Sequence, residues 1–239
     1  MAKSGTANFY NGVATQSLRF DDGSSAYLTR TPDSASNRKT WTWSGWVKRG
    51  EVGEFNVFFS GYTNTANYEW IGFQSDDTLR YDNIVSSSTI SRIKYTAKHR
   101  DTSSWYHIVL TRDTTNATDS DRIKVYVNGI RLTDTTEENY HDINLEGFIN
   151  SNVSQGIGRN HNAYFDGYLS DVNFIDGLAL TPTSFGEFKN GVWIPIDTSG
   201  LTFGTNGFRL QFDQVGVGTA STSTIGADTS GNTNHWTSS

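Results

Sequence analysis

Cysteine is absent from the 239 residues, so neither disulfides nor thiolate metal sites can hold this chain together. Proline occurs only three times, which leaves strands seldom interrupted. No stretch approaches the apolar length that spans a bilayer, and residues 1–8 lack the apolar run of a secretory signal; a soluble protein made in a cytoplasm, with no membrane partner, is the expectation. Neither sign of charge dominates. Nineteen Lys and Arg stand against 25 Asp and Glu, a net charge of -6 spread along the chain, which argues against a surface that tracks phosphates and against nucleic acid as a partner. Phosphate-cradling Gly-x-x-x-x-Gly-Lys-Ser and Gly-x-Gly-x-x-Gly loops are missing, and His99, His107, His141, His161 and His235 include no His-Glu-x-x-His spacing.

What is abundant is aromatic: 13% of residues, with 7 Trp, enough to bury a large apolar area although only 35% of the chain is hydrophobic. Short runs alternating apolar and polar residues recur between clusters of Gly, Ser, Thr, Asn and Asp, the rhythm of an all-β sandwich, and the length is within what one such domain reaches. The clearest run is 123–132, where Ile123, Val125 and Val127 share a face and Asn128-Gly129 supplies a two-residue hairpin turn. Tyr106, Ile108 and Leu110 alternate with His107, Val109 and Thr111, predicting a strand with one apolar and one mixed face. Trp41 and Trp43 fall on one side of a central strand, with Gly45 admitting a close neighbour. Further strands are expected at 18–20, 26–29, 57–60, 70–74, 78–81, 155–159, 169–175 and 208–212. One short helix is expected at 181–188, capped by Thr181, with Pro182 in its first turn and Phe185 and Phe188 on one side.

Five segments in order, Ser17-Leu-Arg-Phe-Asp-Asp-Gly, Trp43-Ser-Gly-Trp-Val-Lys, Trp105-Tyr-His-Ile-Val-Leu, Val125-Tyr-Val-Asn-Gly and Phe165-Asp-Gly-Tyr-Leu-Ser-Asp-Val, resemble the laminin-G-like or pentraxin-like jelly roll of the concanavalin A-like lectin/glucanase type. The resemblance implies a two-sheet antiparallel jelly-roll sandwich. Segments 174–177, 180–186, 192–195 and 204–208 look like a variant found in marine bacteriophage virion proteins. Residues 208–213 and 225–236 resemble what usually opens such a domain; a circularly permuted strand order follows, with 208–212 filling the sheet position left by the late start at Ser17. The expected organisation is an N-terminal arm over 1–16, anchored only by Phe9, Tyr10 and Val13, and a single sandwich over 17–239 completed by 200–239.

The virion resemblance implies a non-enzymatic structural protein: a capsid decoration, head fibre or tail fibre at the virion surface, contacting other capsid or tail proteins as a homo-oligomer, a trimer by expectation. The alternative is a lectin-like module attaching to host glycans. Glucanases of this fold set two carboxylates across a cleft with Glu-x-Asp-x-Glu, which this sequence lacks, and the adjacent Glu137 and Glu138 would point to opposite sides. No enzyme is expected. Aromatic faces that stack on sugar rings beside amides that bond hydroxyls occur at Tyr62, Asn64, Asn67, Tyr68 and Trp70, and again at Asn160, Asn162 and Tyr164. The family often binds calcium, for which Asp21, Asp22, Asp119, Asp121, Asp166 and Asp228 are candidate ligands; Asp before Gly also serves ordinary turns, and no other cofactor is suggested.

Overall fold

The computed structural model describes residues 12–239. Two antiparallel sheets face each other. One has seven strands: Leu18–Phe20, Gly167–Asp176, Thr40–Arg49, Tyr106–Asp113, Ile123–Val127 and Ile130–Arg131 follow in that order, and Phe208–Leu210 joins at Gly167–Asp176. The other has eight, ordered Thr135–Asn139, Ser88–Lys98, Thr78–Val85, Asn67–Phe73, Asn56–Asn64, Ser154–Ile157, Leu28–Arg30 and Thr237–Ser238. Among the described residues, no helix is long and apolar enough to cross a membrane.

Alternation decides which side chains meet between the sheets. Trp41, Trp43, Ile108, Leu110, Phe59, Ile71 and Phe73 point inward and are buried in one core. Gly45 accommodates the Trp43 indole, whose ring atoms would lie 2.7 Å from a Cβ placed there. The expected Asn128-Gly129 turn is present, with φ of 50° and 81°. The mixed face of Tyr106–Asp113 is buried as well: Val109 packs with Ile175, Phe185 and Phe203 in a second cluster under the chain that follows residue 176.

The end of the chain is part of this sandwich. Leu18–Phe20 bonds to residues 167–169 and Phe208–Leu210 to residues 172–174 along the edge of Gly167–Asp176 opposite Thr40–Arg49, so the late segment continues the edge that the first strand leaves short. Phe208 then stacks on Phe174 at 5.6 Å and meets Trp236 edge-on at 4.9 Å, which draws the last residues into the aromatic core. The arm expected over 1–16 falls, up to residue 11, outside the described residues.

Two expectations change. The short helix is one 3-10 turn, Pro182–Ser184, without a side-chain cap from Thr181. The chain then becomes the strand Gly186–Lys189, paired with Val192–Pro195, so Phe185 is buried while Phe188 is 57% exposed rather than on a shared helical face. A strand also stands where none is expected: Ser88–Lys98 alternates inward Ser91, Ile93 and Tyr95 with outward Arg92 and Lys94. Its charged outer residues conceal the apolar period.

A fully buried ion pair joins the sheets. Glu69, on Asn67–Phe73, and Arg112, on Tyr106–Asp113, are both 0% exposed and lie 2.5 Å apart. Every oxygen of Glu69 has two donors: Oε1 accepts from Arg112 and the Tyr81 hydroxyl, Oε2 from the backbone N–H groups of Phe148 and Ile149. Because the single Tyr81 proton goes to Glu69, the hydroxyl oxygen accepts from His141 Nε2 at 2.7 Å, and burial pushes the Tyr81 pKa well up and the His141 pKa well down. Arg112 also donates to the Leu145 carbonyl at 2.9 Å. Gly147 is required beside them, since a Cβ there would stand 2.0 Å from Glu69 Oε2.

Buried neutral histidines complete the packing. His107 lies between the rings of Trp46 and Trp193; Trp193 Nε1 donates to its Nδ1 at 2.9 Å, which places the ring proton on Nε2, facing Ser44 Oγ. Burial lowers its pKa to about 3, and burial together with the Arg49 charge lowers that of His99 to about 4.

Removing one partner of the Glu69–Arg112 pair strands the other charge in the core, so Glu69→Gln or Arg112→Met should each cost about 3–5 kcal/mol in urea unfolding. A loss below about 1 kcal/mol for both would contradict the described geometry. Stability should also fall on acidification. In the unfolded chain the histidines bind protons below about pH 6.5, while the folded chain resists until about pH 4 at His99 and about pH 3 at His107. Stability present above pH 6.5 is therefore lost at about 1.4 kcal/mol per pH unit for each histidine as pH falls; a midpoint temperature unchanged between pH 7 and pH 5 would contradict this.

Candidate functional site

Glu69 and Ile71 face the core, so Tyr68 and Trp70 face the outer side of the eight-stranded sheet. After Ser154–Ile157 the chain folds back over this outer side. The Ser60 hydroxyl donates to the Arg159 carbonyl at 2.6 Å, and residues 159–164 form a small hairpin with His161 at a φ of 51°. Tyr62 lies flat against His161, 7° between rings, with its hydroxyl 3.1 Å from Nδ1. On the other flank the Arg159 guanidinium covers Tyr27 at 3.8 Å, and Tyr27 touches Tyr164.

Between this hairpin and the segment before Asn56–Asn64 lies an open basin of about 820 Å³. Tyr68, Asn160, Asn162 and Tyr164, expected from two distant stretches of sequence, line it together. Tyr62 flanks it through His161. The other glycan candidates are elsewhere. Asn64 and Asn67 organise the turn: Asn64 Oδ1 accepts from Ala66 N and Asn67 Nδ2, and Asn67 Oδ1 from Ser86 N. Trp70 is a correction, being only 2% exposed, edge-on to Phe55 at 5.0 Å and covered by Arg80 at 4.9 Å, so no sugar ring can stack on it.

Sequence reasoning passed over Asn56, Glu51, Glu54, Phe55 and His161, which also line the basin. Glu51 to Asn56 carries no period or motif, and only the turn of chain against the hairpin gives it a role. Asn56 is 2% and Asn160 8% exposed, yet the Oδ1 of each is buried without a hydrogen-bond partner. These two oxygens are closed to solvent, so the accessible polar groups of the basin include instead the exposed Asn162 amide and the tyrosine hydroxyls.

Of the calcium candidates, Asp21, Asp22 and Asp166 come together with carboxylate oxygens within 4.8 Å of one another. Arg19 pairs with two of them, 2.7 Å from Asp166 and 3.7 Å from Asp21 but not with Asp22, and Ser24 hydrogen bonds hold the Asp21 pKa below its usual value. Asp119 and Asp121 stand in a 3-10 turn, the latter paired with Arg131 at 2.8 Å. Asp228 accepts four hydrogen bonds, from Arg209 N, Ser230 N and Oγ, and Asn234 N, and so organises the C-terminal loop.

Several solved structures resemble this chain in fold. A heptameric SAP-like pentraxin from Limulus polyphemus aligns at 21% identity over 71% of this chain and 75% of its own, with a TM-score of 0.46. Domain 4 of AbnA, a GH43 extracellular arabinanase from Geobacillus stearothermophilus solved with arabinotriose, aligns at 21% identity over 62% of this chain and 65% of its own, TM-score 0.44. For domains LG4-5 of the mouse laminin alpha1 chain the values are 12%, 68%, 41% and 0.46. No curated protein matches the sequence. The family model of the concanavalin A-like lectin/glucanases superfamily matches residues 22–184, a span that includes the basin's Tyr68, Asn160 and Tyr164, and the chain belongs to that superfamily.

Proposed function

We propose that this chain is a non-catalytic carbohydrate-binding module whose site is the basin between the 159–164 hairpin and residues 51–56. The carrying observation is the convergence of two tyrosines, Tyr68 and Tyr164, with the exposed Asn162 amide on one open basin. Hydroxyl-rich rings supply hydrogen-bond partners for such an amide and the flat C–H faces that tyrosines cover. An open, shallow form suits one stretch of a polysaccharide rather than a sequestered small molecule.

The absence of catalysis is part of the proposal. Glycoside hydrolysis uses two carboxyls flanking one bond, one of them kept protonated. Here the carboxyls whose pKa burial raises, Asp82 and Asp171, are paired with Arg80 and Arg92 and with Arg209 and do not line the basin, Glu69 is sealed between the sheets by four donors, and Asp22 and Glu54 are exposed at the basin. The virion setting and trimeric assembly implied by the resemblance of segments 174–208 belong to the same proposal: a particle-borne module that displays the basin to a host surface.

Titration of the full chain against neutral, acidic and amino oligosaccharides should find binding to at least one class, weakened about tenfold or more, ~1.4 kcal/mol, by Tyr68→Ala combined with Asn160→Ala in a variant that keeps its circular dichroism. Binding to none of them, or binding indifferent to both substitutions, would overturn the proposal.

A further inference from the structure

The basin's charge is one-sided. Glu51, Glu54 and Asp22 line it, and no Lys or Arg does among the described residues. None of these three carboxylates forms an ion pair among the described residues, although acidic groups elsewhere on this chain are repeatedly paired, as in Arg92–Asp82, Lys94–Asp76 and Arg100–Asp77. Arg19, the cation beside Asp21, is held away by Asp166 at 2.7 Å. Glu51 is further placed by Asn56, whose Nδ2 donates to its Oε1 at 3.2 Å.

We infer that the basin selects a glycan bearing a protonated amine, a polymer of the glucosamine class, over neutral and anionic glycans. This rests on the carbohydrate-binding reading of the same site and adds the charge of its ligand. All the charged groups that line the basin among the described residues are acceptors: the carboxylates of Asp22, Glu51 and Glu54, none of them in an ion pair. An ammonium group is a compact positive charge with three donors and no acceptor, the complement of that set. A uronate or sulfated sugar would bring negative charge against three carboxylates with no cation to receive it, a penalty by which a site rejects a competitor of otherwise similar shape.

Calorimetric titration of the full chain at about pH 6, where amines are protonated, should use a glucosamine tetramer, its N-acetylated counterpart and a galacturonate tetramer. The glucosamine tetramer is expected to bind at least about tenfold tighter than the N-acetylated one, with the galacturonate weakest, and added salt should narrow the gap. Glu51→Gln with Glu54→Gln, which keeps an oxygen for Asn56 to donate to, should erase the preference, the glucosamine tetramer losing at least about tenfold more affinity than the N-acetylated one. Equal or tighter binding of the neutral or anionic tetramer would overturn the inference and leave the carbohydrate reading standing. So would a preference that survives the double substitution or arises only with added calcium. Binding of no tetramer by the wild-type chain would remove both.

Discussion

The sandwich is built around one buried charge pair. Glu69 and Arg112 come from opposite sheets, and an apolar interior tolerates each only beside its partner and further hydrogen bonds, which Glu69 has at both oxygens and Arg112 at Nη1 and Nη2. Supplying them recruits Tyr81, the backbone at Phe148 and Ile149, and the Leu145 carbonyl, so the connection between Thr135–Asn139 and Ser154–Ile157 has no freedom to lie elsewhere. The same requirement fixes the register of Asn67–Phe73. A slip by one residue would turn Glu69 out to solvent and drive Tyr68 and Trp70 inward, so the inward place of Glu69 is what presents Tyr68 to the basin.

Much of this fold is legible in the sequence because period-two alternation survives wherever one face is clearly apolar. Ile123, Val125 and Val127 with the Asn128-Gly129 turn, and Trp41 with Trp43, occupy the places their spacing predicts. Ser88–Lys98 is hidden because its inward side is short of large apolar residues and its outward side carries Arg92 and Lys94. The 3-10 turn at Pro182–Ser184 shows the opposite effect: local helix signals are present, but the pairing of Gly186–Lys189 with Val192–Pro195 overrides them.

The candidate site is legible in part. Tyr68, Asn160, Asn162 and Tyr164 stand out as aromatic and amide residues in polar loops, but nothing in their spacing says that residues near 68 and near 162 face one another; the fold-back at Ser60 and Arg159 does that. Trp70 misleads because an exposed stacking tryptophan and a tryptophan buried on a sheet's outer face look alike in sequence, and only Phe55 and Arg80 distinguish them. Glu51, Glu54 and Asn56 carry no motif, and their meaning is their convergence with the hairpin.

The chain also has a second, more apolar slot of about 210 Å³, bordered by Trp46, Trp105 and Trp193, on the outer side of the seven-stranded sheet. It offers aromatic surface without carboxylates, and so is the natural competitor for a sugar. A crystal structure of the full chain with a bound glucosamine oligosaccharide separates the two directly. Sugar density between Tyr68 and Tyr164, with an amine at Glu51 or Glu54, is the expected result. Density seated on the tryptophans instead, with the basin holding only water, would contradict the assignment of function to the basin.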